Sequence, residues 1–155
     1  MITIETYIVG PDDCVLFYPF KQLLQFHSQL FKDTNLLIRE PNVRKINRNV
    51  MELLQITHGV KIKAPDDLLD TAHELEFRNV VRYCELQMIQ EEYEEMFVFH
   101  YFRSAAEYNL NHYLAHLLKH VGGAGNLAAI LLKLDIEELS SEYMKQCTKY
   151  FLENL

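Results

Sequence analysis

The chain has 155 residues, of which 49% are hydrophobic, so it can bury a sizeable core in one domain or two small ones. Its formal net charge of -7 disfavours nucleic acid as a partner, because phosphates are bound by a surplus of Lys and Arg on one face. No apolar run approaches the ~20 residues that span a bilayer, and the N-terminus lacks a signal-peptide pattern. We therefore expect a cytoplasmic or nuclear protein that has no membrane partner.

The first predicted elements are the two strands of a hairpin. Apolar residues at 2–9 favour an extended chain, residues 10–13 have strong turn chemistry, and a second apolar run follows at 15–17. The apolar spacing at 20–31 then predicts a helix, and the apolar run at 36–38 is compatible with a short strand.

A further helix is predicted from Val50 to near Gly59, followed by a brief apolar alternation at 60–63. Two amphipathic helices come next, the first capped by Asp66 and the second by Asn79, with a turn at Phe77 and Arg78 between them. Their apolar faces comprise Leu68, Leu69, Ala72 and Leu75 in the first helix and Val80, Val81, Cys84 and Met88 in the second.

This helical hairpin has an echo 33 residues later. Ala72, Leu75, Phe77, Val81 and Cys84 correspond to Ala105, Tyr108, Leu110, Leu114 and Leu117. The pattern predicts a second helical hairpin, but two copies are too few for a solenoid.

The C-terminal half is predicted to be helical throughout. The GGAG sequence at 122–125 is expected to end a helix rather than cradle a phosphate, because a helix and not a strand precedes it. Ser140 or Ser141 is expected to cap the last helix.

The cysteines Cys14, Cys84 and Cys147 are odd in number and widely spaced. This distribution favours neither a disulfide framework nor a CxxC metal site. We expect each cysteine to be a buried apolar residue rather than a nucleophile, and we expect no cofactor.

Three histidines, His112, His116 and His120, have the spacing of one helical face. Two histidines four residues apart can share a metal ion, which makes a metal-binding protein the less favoured alternative function. The favoured interpretation is a solvated polar face, because no HExxH motif, nearby cysteine or third carboxylate ligand accompanies them.

An aromatic run at 97–102 cannot enter one small core as a whole. At helical spacing Phe102 and Ala105 face one side, while Phe97 and Tyr101 face another. Either this helix lies between two layers or one side binds a partner, so Phe97 and Tyr101 are candidate partner-binding residues.

Two blocks of residues resemble the BTB/POZ domain. In the helix that follows the hairpin, the matching residues are Lys21, Leu24, Ser28 and Phe31. In the more specific second block, they are Leu53, Leu54, Gly59, Leu68, Leu69, Ala72, Leu75, Phe77, Val80, Cys84 and Glu85. The resemblance implies an α+β BTB/POZ-like domain at 1–90, with a small sheet and helical hairpins. Residues 91–155 resemble a BACK-like, all-α helical extension, on the sequences AAEYNLNHYL and LSSEYMKQC.

The resemblance implies a non-enzymatic protein–protein interaction adaptor or scaffold in cullin-RING ubiquitin ligase assembly. The alternative is a scaffold or heteromeric assembly subunit that pairs with another BTB protein and is unrelated to cullin. Homodimerisation is left open, because the classical BTB dimer exchanges an N-terminal helix and the chain is already extended at Ile2.

Cullin-binding members present an apolar-x-Glu motif after the first long helices, and Ile38 and Glu40 match it. Leu37, Ile38 and Glu40 are therefore candidate partner-binding residues, although residues 36–40 are equally compatible with an ordinary strand. In the same family, the region between the two modules receives the N-terminal segment of a cullin, which implies the same role for the region of Phe97 and Tyr101.

Overall fold

The computed structural model of the protein describes residues 7–9, 14–16, 26–28, 49–65, 67–91 and 93–154. The chain divides into two compact units, Met1–Cys84 and Glu85–Leu155. The sequence-based boundary lies between residues 90 and 91, and the assignment of a BTB-like and a BACK-like part stays a prediction.

Two short paired strands in the first unit coincide with the predicted hairpin. Strands β1 (Tyr7–Val9) and β2 (Cys14–Leu16) are antiparallel, with Ile8 opposite Val15. The predicted turn at 10–13 lies outside the described residues.

The predicted α+β fold with a BTB-like sheet is wrong for the part of the chain that the structure describes. Its two three-residue strands pair only with each other, and the other described elements are helices. Residues 60–63 alternate like a strand but are not assigned to one. Here the Tyr83 hydroxyl donates to the Ile62 carbonyl at 2.6 Å and accepts from the Ile62 N–H at 3.1 Å. A side chain thus satisfies backbone groups that a sheet would otherwise pair. The possible strand at 36–38 lies outside the described residues.

In the stretches described from residue 49 to residue 91 there are three helices, α1 (Val50–Thr57), α2 (Leu68–Glu74) and α3 (Arg78–Gln90), and the boundary between the units falls inside α3. The predicted helix that ends near Gly59 is confirmed, and Gly59 has a positive φ of 82°. Among the residues of the first unit that the structure describes, the buried apolar ones are Leu53, Leu54, Ile56, Leu68, Leu69, Ala72, Leu75, Phe77, Val80 and Cys84. The predicted apolar face of α2 is therefore confirmed.

The predicted helix starts need correction. The N-cap residue of α2 is Asp67, whose side chain makes no capping hydrogen bond, and Asp66 lies outside the described residues. Helix α3 begins at Arg78 rather than after Asn79, because the carbonyl of Phe77 already accepts the N–H of Val80 at 2.9 Å. The turn therefore lies at 75–76, two residues before the predicted position.

Only a fragment of the predicted helix at 20–31 falls within the described residues. Phe26 and His27 are helical, and Ser28 is buried. The hydroxyl of Ser28 donates a hydrogen bond to the carbonyl of Leu75, which ties this fragment to the end of α2 within the first unit.

The described elements of the second unit beyond α3 are all helical. In chain order they are a one-turn 3-10 helix (Glu95–Phe97), α4 (Val98–Glu107), α5 (Asn111–Leu118), α6 (Ala124–Leu131), a second 3-10 turn (Ile136–Glu138) and α7 (Ser141–Glu153). The predicted second helical hairpin is confirmed as α4 and α5. Ser140 caps α7 as expected, since its hydroxyl accepts the Tyr143 N–H at 3.2 Å.

Helix α5 contacts both α4 and α7 in the core of the second unit. The buried apolar residues there are Phe102, Ala105, Leu110, Tyr113, Leu114, Leu117, Leu118, Val121, Leu127, Ile130, Tyr143 and Cys147. The Tyr143 hydroxyl donates to the carbonyl of Phe102 at 3.1 Å, so the one polar atom of this buried ring is paired.

Of the GGAG sequence, Gly122 and Gly123 lie in a loop after α5, as predicted, whereas Ala124 and Gly125 already belong to α6. Gly122 and Gly123 have φ values of 74° and 126°, which residues with a Cβ rarely adopt. The N–H of Gly123 donates to the Tyr150 hydroxyl at 3.0 Å, and is thereby already engaged. Of the helices in the described ranges, none has the length and apolar character needed to cross a membrane.

Candidate partner-binding site in the second unit

The site is built on helix α5, whose start is fixed by a buried carboxylate. Glu85 is 4% exposed, and its Oε1 accepts the backbone N–H of His112 at 2.6 Å and of Tyr113 at 2.9 Å. An anionic acceptor satisfies free N–H groups at a helix N-terminus and interacts favourably with the helix dipole. Glu85 therefore positions the helix that carries Tyr113 and His116.

Tyr101 of α4 lies at the centre of a cluster of aromatic rings. Its ring centroid is 5.9 Å from that of Tyr93, 6.3 Å from that of Phe97 and 6.3 Å from that of Tyr113. These separations are typical of favourable aromatic pairs. The cluster joins the segment before α4 to α5, which follows it.

Two histidines close this cluster into a ring of contacts. His116 stacks on Tyr113 with centroids 6.5 Å apart, and the His120 ring lies 4.6 Å from His116 and 5.2 Å from Tyr93. His120 is exposed, as the predicted solvated histidine face requires, whereas His116 is half-buried, so of these two residues the prediction is wrong only for His116. Because α5 ends at Leu118, His120 lies in the following turn, where it reaches Tyr93.

His112, the third member of the predicted ladder, is exposed. Within the described ranges, no group of three or more His, Cys, Asp or Glu side chains is arranged to hold a metal ion.

The electrostatics of the cluster disfavour positive charge on His116 and negative charge on Tyr113. Burial lowers the pKa of His116, and the positive charges of His120 and Lys119 lower it further. Burial also raises the pKa of Tyr113, with smaller contributions from Tyr101, Glu91 and Tyr93. At neutral pH both side chains are therefore uncharged.

A small cavity of about 20 Å³ opens among these side chains. It is lined by Glu91, Tyr93, Tyr101, Tyr113, His116 and Leu117. The lining residues carry aromatic rings, phenol groups and one carboxylate, which are groups that bind cationic side chains.

The surface beside the cluster exposes large apolar side chains. Met96 is 79% exposed and Phe97 is 43% exposed, and no residue of their 3-10 helix is buried. We call Tyr93, Met96, Phe97 and Tyr101 the Phe97 surface. Its composition of aromatic residues and Met is typical of the centre of a protein–protein interface.

The sequence-predicted partner-binding residues have different outcomes. Phe97 and Tyr101 are in ring contact on one surface, whereas Leu37, Ile38 and Glu40 lie outside the described residues. Sequence reasoning missed Tyr93, Tyr113 and Glu91. Tyr113 could have been found from its place on the second helix of the predicted hairpin, whose first helix carries Tyr101. Glu91 and Tyr93 lie in the acidic stretch at 90–95.

Cys84 and Cys147 are buried, one in each unit, as expected. Burial raises the pKa of both thiols to about 11, so neither is a reactive thiolate at neutral pH. The side chain of Cys14 lies outside the described residues.

These contacts place a ring of aromatic side chains, a small acidic cavity and an exposed apolar surface on one part of the second unit. Comparison of the chain with protein-family models, with curated proteins and with solved structures found no match in any of the three.

Proposed function

We propose that the protein is a non-enzymatic adaptor that binds another protein through the Phe97 surface. The observation that carries this proposal is the exposure of Met96 and Phe97 beside a packed aromatic cluster. Large apolar side chains gain free energy when a partner removes them from water, by roughly 25 cal/mol per Å² of apolar area. Met and aromatic residues are also enriched at the centres of interfaces.

The supporting cluster makes this surface suitable for binding without large rearrangement. Phe97 and Tyr93 both contact Tyr101, and Tyr101 contacts the buried ring of Tyr113. Side chains that are already ordered lose less conformational entropy on binding.

The resemblance in residues 53–85 supplies the first partner class to test, the N-terminal domain of a cullin. A second BTB-type protein is the alternative partner. Both rest on sequence motifs, whereas the binding surface rests on the geometry of the second unit.

The test is a binding titration of the purified full-length chain with a panel of cullin N-terminal domains. The surface variant is Met96→Ser/Phe97→Ser. The matched control is Leu132→Ser/Leu152→Ser, because these leucines are 82% and 72% exposed and lie away from the cluster in the sequence. A third variant, Ile38→Ala/Glu40→Ala, tests the apolar-x-Glu motif separately.

We expect saturable binding that the surface variant weakens at least about tenfold, as for an interface hot spot, and that the control retains. Equal binding by the surface variant and the control would reject the Phe97 surface. Absence of binding to every cullin domain would reject the ligase role, and the same variants should then be titrated with BTB proteins. Light scattering on each sample gives its mass and separates heteromeric pairing from self-association.

A further inference from the structure

The cavity beside the Phe97 surface is formed by groups that attract a positive charge. Tyr93, Tyr101 and Tyr113 contribute aromatic rings, whose faces carry negative electrostatic potential, and phenol oxygens, which accept hydrogen bonds. Glu91 adds a carboxylate to the same lining. His116 does not oppose a cation there at neutral pH, because burial lowers the pKa of its ring, with smaller contributions from His120 and Lys119.

The size of the cavity restricts which cation it can hold. A volume of about 20 Å³ accommodates a group about as large as one water molecule. A primary ammonium group is of this size, whereas a trimethylammonium group carries three additional methyl groups. The cavity thus differs from the larger aromatic cages that hold quaternary ammonium ligands.

The surrounding charge also favours a basic ligand. Four of the five residues in the sequence EEYEE, at 91–95, are glutamates, and Tyr93 is the fifth. A positively charged ligand is attracted to such a segment, and this attraction weakens as salt is added.

We propose that this cavity binds the primary ammonium group of a lysine side chain on the partner protein. The inference rests on the proposed function, because the adaptor's partner provides the lysine. A free amine presents the same ammonium chemistry, so the two sources must be compared directly.

The experiment follows the tyrosine ring signals of the full-length protein by carbon-edited NMR while small probes are added. The lysine probe is N-acetyl-lysine N-methylamide. The norleucine analogue keeps the alkyl stem without the charge, the trimethyl-lysine analogue keeps the charge with a larger head, and methylammonium represents a free amine. No partner protein is present, so failure of this test is distinct from failure of the adaptor proposal.

We expect the lysine probe to shift the Tyr93, Tyr101 and Tyr113 signals, with a dissociation constant on the order of millimolar for one weak cation–π site. The norleucine and trimethyl-lysine analogues should bind at least about fivefold more weakly. Tighter binding of the lysine probe than of methylammonium supports a protein lysine as the source. Equal binding supports the ammonium site but overturns the assignment to a protein lysine.

Variants decide whether the cavity is the site. Glu91→Gln should weaken binding of the lysine probe about threefold or more, because it removes the lining carboxylate. Glu94→Gln is the matched control, since Glu94 is exposed in the same acidic run and does not line the cavity, and should weaken binding much less than Glu91→Gln. Equal shifts with lysine and norleucine probes, equal affinity for trimethyl-lysine, or equal losses in the two variants would overturn the proposal.

Discussion

Glu76 and Asn109, 33 residues apart, adopt the same left-handed backbone conformation, with φ values of 56° and 54°. Each lies in the turn that ends the first helix of a helical hairpin, and the corresponding hydrogen bond closes both turns. The N–H of Phe77 donates to the Ala72 carbonyl at 2.8 Å, and the N–H of Leu110 donates to the Ala105 carbonyl at 2.9 Å. The sequence echo is thus a repeated helix-ending turn of the Schellman type.

Glu76 and Asn109 tolerate this backbone conformation to different degrees. Glu76 carries a Cβ in a conformation that costs an ordinary residue roughly 1 kcal/mol, whereas Asn tolerates it better. We expect Glu76→Gly to raise the free energy of unfolding by about 0.5–1 kcal/mol. Asn109→Ala should lower it by about 1 kcal/mol, because the change also removes the acceptor of the Ser140 hydroxyl.

Urea denaturation followed by circular dichroism measures both changes. The control for Glu76→Gly is Glu74→Gly inside α2, which should destabilise by up to about 1 kcal/mol. If both glycine variants destabilised equally, backbone strain at Glu76 would not be the cause.

Removal of the Glu85 carboxylate should destabilise the second unit. Glu85→Ala leaves the N–H groups of His112 and Tyr113 without this acceptor, so we expect a loss of about 2–3 kcal/mol. Glu85→Gln keeps an acceptor but not the charge and should lose about 1 kcal/mol. Chemical denaturation gives both values, with exposed Glu107→Ala expected to stay within about 0.5 kcal/mol of wild type.

His116 should make stability depend on pH on the acid side of neutrality. Its pKa is lowered in the folded state, so the unfolded chain takes up a proton more readily as pH falls. Stability is therefore complete above the ordinary histidine pKa of about 6.5 and decreases as pH falls from there towards the lower folded-state pKa.

His116→Gln should flatten this part of the stability profile, as measured by denaturation at a series of pH values from about 7.5 to 5. His112→Gln, at an exposed position, provides the comparison and should leave the profile as in wild type. A wild-type slope that persisted in His116→Gln would assign the effect to other groups.

The thiols of Cys84 and Cys147 should resist alkylation in the folded protein. A pKa of about 11 leaves roughly one thiolate in a thousand at pH 8, and burial blocks the reagent as well. Peptide mass spectrometry after iodoacetamide treatment should find both cysteines labelled only when denaturant is present. Rapid labelling of either one in native buffer would contradict its burial.

Apolar periodicity predicted the helices well because it reports directly which face of a helix enters a core. Leu68 and Ala72 in one hairpin and Phe102 and Ala105 in the other are buried as their spacing indicated. The same reasoning separated Phe102 from the more exposed Phe97.

Apolar periodicity could not predict contacts between residues that are distant in the sequence. Glu85 accepts a hydrogen bond from the start of α5, 27 residues away in the sequence, and no local sequence pattern predicts this contact. The spacing of the histidines could not show that His116 is half-buried or that the exposed His120 stacks on Tyr93, since Tyr93 lies outside α5. The expected larger sheet is missing from the described part of the chain for a related reason, because alternation at 60–63 indicates an extended chain and not its hydrogen-bond partner.

The two hydrogen bonds between the Tyr83 hydroxyl and the backbone of Ile62 also have a consequence for self-association. An extended segment with free N–H and C=O groups is a template on which a second chain can add a strand, an early step in aggregation. One phenol group occupies both backbone groups of Ile62 at the middle of such a segment. Tyr83→Phe would remove these two hydrogen bonds at once, so we expect the hydroxyl to contribute to shielding this backbone from intermolecular strand addition.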